Sequence, residues 1–99
     1  MFRASLLAIA LIGPAVAVAQ AATGYYVATP ATTPVKAQLM TRSTPWRLVA
    51  GSYVAPRSPD RDLVVCQLVA REAGRLQGFT IAGAAVDATT LEKCNAHAR

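Results

Sequence analysis

Leu63-Val64-Val65-Cys66-Gln67-Leu68-Val69-Ala70-Arg71-Glu72-Ala73-Gly74, followed after Arg75 by Leu76-Gln77-Gly78-Phe79-Thr80-Ile81, carries two periodicities in succession. In the first part Leu63, Cys66, Val69, Ala70 and Ala73 recur at helical spacing and form one apolar face. Ser58-Pro59 predicts the helix start. The serine oxygen can accept an orphan backbone N–H, and proline at the first helical position loses no hydrogen bond. Asp60 and Asp62 then lie in the favourable first turn, and Gly74 supplies the stop. Val64 and Leu68 fall on the opposite side. A helix apolar on two sides is either sandwiched between layers or offers a stripe to a partner, which makes Val64 and Leu68 a candidate partner patch. In the second part Phe79 and Ile81 alternate with polar neighbours, the pattern of a half-buried strand, and Gly83 closes it.

Upstream, Tyr25-Tyr26-Val27-Ala28 reads as a short strand. Between Val35 and Arg42 apolar and polar residues alternate, predicting a second. Trp46-Arg47-Leu48-Val49 and Tyr53-Val54-Ala55 flank Gly51-Ser52 and read as the arms of a hairpin. Trp46, the largest apolar side chain, is the expected core anchor. Downstream, Asp87 is placed to cap a last helix from Ala88, on which Leu91, Cys94 and Ala98 share a face. The order β-β-β-β-α-β-α predicts an α+β domain. Its expected form is a small antiparallel sheet of three to four strands covered on one face by two helices and preceded by a signal peptide.

The leader is read from its own chemistry. Met1-Phe2-Arg3 carries the only charge before Lys36, Leu6 to Ile12 is apolar, Gly13-Pro14 breaks the helix, and Ala17-Val18-Ala19 offers small residues to a signal peptidase. The stretch is too short for a membrane span, so residues 1–19 are expected to be removed after Ala19, or alternatively after Ala21. No cysteine precedes Cys66 to carry a lipid. The expected mature protein is periplasmic or secreted and has no membrane span, with a flexible lead-in over 20–24 and a single domain over 25–99. With 99 residues in all, one domain with a thin core is the limit.

Ten Lys and Arg against five Asp and Glu give a net charge of +5. Arg57, Arg61, Arg71, Arg75 and Lys93 are candidate contacts to an anionic envelope surface, although Arg71 adjoins Glu72 and Arg61 lies between two aspartates. Nucleic acid is not an expected partner, because no stacking aromatics interleave with the arginines. Cys66 and Cys94, the only cysteines, are expected to form one disulfide between the helices of an exported protein. One histidine, His97, lies too near the chain end to act as a positioned base, and no Gly-x-Ser-x-Gly elbow or phosphate loop occurs. The expectation is therefore no catalytic residue, no metal and no cofactor. Envelope binding leads, with another envelope protein as the partner. A small enzyme with an unrecognised site, or a binder of anionic surfaces, is the alternative.

The run Val65 to Gly74, with Phe79-Thr80, Gly83, Val86-Asp87-Ala88 and Leu91-Glu92-Lys93-Cys94-Asn95-Ala96, resembles a family of small uncharacterised exported proteins of alphaproteobacteria marked by a C-terminal Lys-Cys-Asn-Ala motif. The resemblance extends back through Ala55-Pro56 and Trp46 to Tyr25-Tyr26. It implies an architecture and a compartment but no activity. Members often carry a second cysteine pair after the tryptophan, where this sequence has Leu48 and Tyr53. Facing each other across the hairpin, these two would contribute about 0.2–1 kcal/mol in place of a covalent bond. That register implies a four-residue loop, Val49 to Ser52. A two-residue Gly51-Ser52 loop, with Ala50 opposite Tyr53, is equally allowed by turn chemistry.

Overall fold

The computed structural model describes residues 23–99, so the leader, both cleavage positions and most of the lead-in lie outside the described residues. The elements are β1 (Tyr26–Pro30), β2 (Gln38–Thr41), β3 (Thr44–Val49), β4 (Ser52–Ala55), α1 (Asp62–Ala73), β5 (Leu76–Ile81), β6 (Ala84–Ala85) and α2 (Ala88–Asn95). All six strands form one antiparallel sheet in the order β2-β3-β4-β1-β5-β6. The expectation of three to four strands is thus corrected to six. Two features account for the difference. β1 pairs with both β4 and β5, so it joins two hairpin ribbons into one sheet. The chain also turns back after Ile81 through Ala82-Gly83, adding β6, whose two alanines carry no alternation that a pattern could register.

Tight turns set the register. Ala50-Gly51 and Ala82-Gly83 take positive φ at both central positions (51° and 85°, 50° and 86°), the signature of a type I′ hairpin turn. Their hand matches the twist of the flanking strands. The β3–β4 loop is therefore Ala50-Gly51, neither of the two loops the sequence allowed. Val49 pairs with Ser52, which still leaves Leu48 opposite Tyr53. β2 and β3 meet at Arg42-Ser43, where Arg42 also has positive φ (56°).

One face of the sheet and the two helices enclose the core. Tyr26, Ala28, Leu39, Trp46, Tyr53, Ala55, Leu76 and Phe79 meet Val65, Cys66, Val69, Ala70 and Cys94 there. Tyr26 lies at the centre, stacked on Trp46 and on Phe79 with ring centroids 5.9 Å away in each case. Trp46 is 1% exposed, and its indole N–H donates to the Thr41 hydroxyl at 2.8 Å. That bond satisfies the polar end of a buried aromatic. Three local expectations change. The helix starts at Asp62 and not at Ser58-Pro59, because Ser58 is held elsewhere. Its N–H donates to the Tyr26 hydroxyl and its Oγ accepts from the Asp60 N–H at 3.0 Å, closing a serine turn. The buried face of α1 contains Val65 while Leu63, in the first turn, is exposed. The second strand shrinks to Gln38–Thr41, leaving Val35 93% exposed.

Candidate functional site

The Lys-Cys-Asn-Ala motif has an architectural role. Cys94 is bonded to Cys66, with the two Cα atoms 5.3 Å apart, and both are buried. Asn95 then acts as a substitute strand. Its Oδ1 accepts from the Leu76 N–H at 2.8 Å and its Nδ2 donates to the Leu76 carbonyl at 2.9 Å, completing the backbone of a residue that is 1% exposed. Sequence reasoning placed the cysteines but missed this clamp, since only the tertiary fold brings Asn95 to Leu76. Asp87 caps α2 by accepting from the Thr90 N–H at 2.8 Å, a bond that holds its carboxyl below the ordinary value. Asp60 accepts from Arg42 Nη1 at 3.0 Å.

The remaining candidates do not assemble into one site. Val64 and Leu68 are half-buried, one turn apart on α1. Arg57, Arg61, Arg71, Arg75 and Lys93 are all exposed. Arg61 precedes α1 and Arg71 lies in its last turn, about 15 Å further along at 1.5 Å per residue. Arg57 and Arg61 therefore stand at one end of the helix and Arg71 and Arg75 at the other. Arg57 instead lies over the Tyr25 ring, 5.7 Å from its centroid. His97 is exposed, and among the described residues no three His, Cys, Asp or Glu side chains are grouped to hold a metal ion.

One concavity is on the other side of the sheet, which among the described residues carries no helix. A groove of about 590 Å³ runs across β2, β3 and β4, lined by Met40, Pro45, Val54 and Pro56 with Gln38 and Arg47. Its far wall is Thr23-Gly24. Glycine permits this close approach: a Cβ on residue 24 would stand 3.0 Å from the Val54 Cβ, tight enough to push the valine back by a few tenths of an ångström. This backbone crossing covers Val54, which is buried while Gln38, Met40, Pro45 and Arg47 on the same face are exposed. Charge is divided in the same way. Every carboxylate side chain of the protein lies between Asp60 and Glu92, so the segment from β1 to β4 carries Lys36, Arg42 and Arg47, with Arg57 just after it, and no acidic residue.

A family of unknown function, DUF8200, matches residues 7–96. The chain belongs to this family. No curated protein and no solved structure matches significantly. The match to DUF8200 takes in residues 7–22 and, among the described residues, all six strands, both helices, the disulfide and the Asn95 clamp. No helix among the described residues is long and apolar enough to cross a membrane.

Proposed function

We propose that this DUF8200 protein is an exported, non-enzymatic interaction domain of the cell envelope. One contrast supports the reading. Several groups suited to chemistry are engaged in the fold: the cysteines in a disulfide, Asn95 in a clamp, Asp60 with Arg42, Asp87 in a cap. The groove over β2 to β4, meanwhile, has mostly apolar walls with Arg47 as its ionisable side chain. Apolar walls with one charge suit recognition, whereas catalysis needs converging acids, bases or nucleophiles. Export is supported by the leader chemistry, by the family match that begins inside it, and by a disulfide suited to an oxidising compartment.

The test is fractionation with N-terminal sequencing, combined with photo-crosslinking side chains placed at Met40 on the open face and at Leu68 on the helical side. The expected result is periplasmic protein beginning at Gln20 or Ala22 and discrete adducts from at least one position. Cytoplasmic protein retaining Met1, or no adduct from either position, would overturn the reading.

A further inference from the structure

Strand β2 forms one edge of the sheet, and its register shows which backbone groups are open. The two-residue turn Arg42-Ser43 makes Thr41 and Thr44 a hydrogen-bonded pair. At the other end the Leu48 N–H donates to the Ala37 carbonyl at 2.9 Å. Alternation then directs Ala37, Leu39 and Thr41 toward β3, and directs the N–H and carbonyl of Gln38 and Met40 away from the sheet. Pro45, opposite Met40, fits this parity, because proline has no N–H to give to the ladder. Among the described residues no loop or side chain bonds the backbone of Gln38 or Met40. The opposite edge, β6, is two alanines long.

These four open groups adjoin the apolar groove, where Met40 is 58% exposed. Lys36 precedes β2 and Arg47 lies opposite Gln38 on the groove face, while Arg42, which follows β2, is paired with Asp60. Cations on an edge strand repel a second copy carrying the same cations. The same cations attract a strand of opposite charge.

Resting on the interaction reading above, we propose that β2 takes up an extended, acidic segment of another protein as a seventh strand. The main chain of that segment pairs with Gln38 and Met40. On the groove face its side chains are apolar over Met40 and Pro45 and acidic at the ends, toward Arg47 and Lys36, while the intervening side chains point to the other face. Strand addition of this kind draws affinity from the ladder and selectivity from alternate side chains.

The probe is the synthetic peptide Glu-Thr-Val-Thr-Val-Thr-Glu, whose glutamates and valines share one face of a strand, compared with Lys-Thr-Val-Thr-Val-Thr-Lys, each titrated into the mature protein. Saturable binding of the acidic peptide is expected, weakened by salt, with slowed hydrogen exchange at the Gln38 and Met40 amides. Met40→Pro removes an N–H that the fold itself does not use. It should leave the melting temperature near that of the parent while weakening the acidic peptide by about tenfold or more. Arg47→Glu, at an exposed position, should transfer preference to the lysine peptide, a gain that misfolding cannot produce. The proposal is overturned if neither peptide binds, if binding survives Met40→Pro with the fold intact, or if the two amides are already protected in a dimer without peptide. An adduct from Leu68 in the periplasm, with no peptide bound at β2, would overturn strand addition while the envelope reading stands.

Discussion

Trp46 is buried and Asn95, half-buried, bonds the backbone of buried Leu76, so their removal should be costly for different reasons. Trp46→Ala creates a cavity beside Tyr26 and Phe79 and leaves the Thr41 hydroxyl without its donor. Equilibrium denaturation should show a loss of about 3–5 kcal/mol. Asn95→Ala should cost about 2–3 kcal/mol, because the Leu76 N–H and carbonyl stay buried without partners. Asn95→Asp separates the two bonds. The acceptor for the N–H is kept, but a carboxylate oxygen now faces the Leu76 carbonyl, which raises the pKa of the new acid. The variant should therefore be most stable at low pH, where the acid is protonated and donates, and lose stability as pH rises through that raised value. Ala50 and Ala82 hold positive φ without being glycine. Ala50→Gly and Ala82→Gly should each stabilise by about 1 kcal/mol, read as a raised denaturation midpoint.

Helix α2 is short, and its attachment depends on its two ends. At its start the Asp87 carboxylate accepts from Thr90, which lowers its pKa. The folded value lies below the unfolded one, so this contribution is complete above about pH 4 and is lost as pH falls through the depressed value. Asp87→Asn keeps the oxygen and should flatten that acid limb of the stability curve, measured by thermal melting from pH 2 to 6. Near its end Cys94 is tied to Cys66 across 28 positions, a loop whose closure corresponds to about 3.5 kcal/mol in the chain-entropy account. Reduction, or the Cys66→Ala/Cys94→Ala pair, should lower the melting temperature strongly while far-ultraviolet circular dichroism at low temperature still reports the sheet. The N-terminal cap and the staple of this helix were both legible in sequence, because Asp87 acts within one turn and the two cysteines have no other partner. The start of α1 was not. Ser58 and Pro59 have the right chemistry for a helix start, but the contact that holds Ser58 comes from Tyr26, 32 positions away.

For the whole molecule, the two faces of the sheet have different fates, and the open one carries the proposed function. A single sheet should unfold as one unit with the helices, so thermal transitions followed by Trp46 fluorescence and by backbone circular dichroism should coincide. Separate transitions would show that the β2–β3 ribbon melts independently of β1 and β5. The α+β class, the placement of strand β5 and helix α2, the cysteine pairing and the expected burial of Trp46 follow from sequence, because each rests on a period, a cap or a residue type that acts locally. The six-strand order, the Ala50-Gly51 register, the buried Val65 face, the Asn95 clamp and the groove closed by Gly24 over Val54 were decided by tertiary structure. Each depends on which distant backbone lies alongside, and residues far apart in the chain meet only when burial of the shared core brings them together.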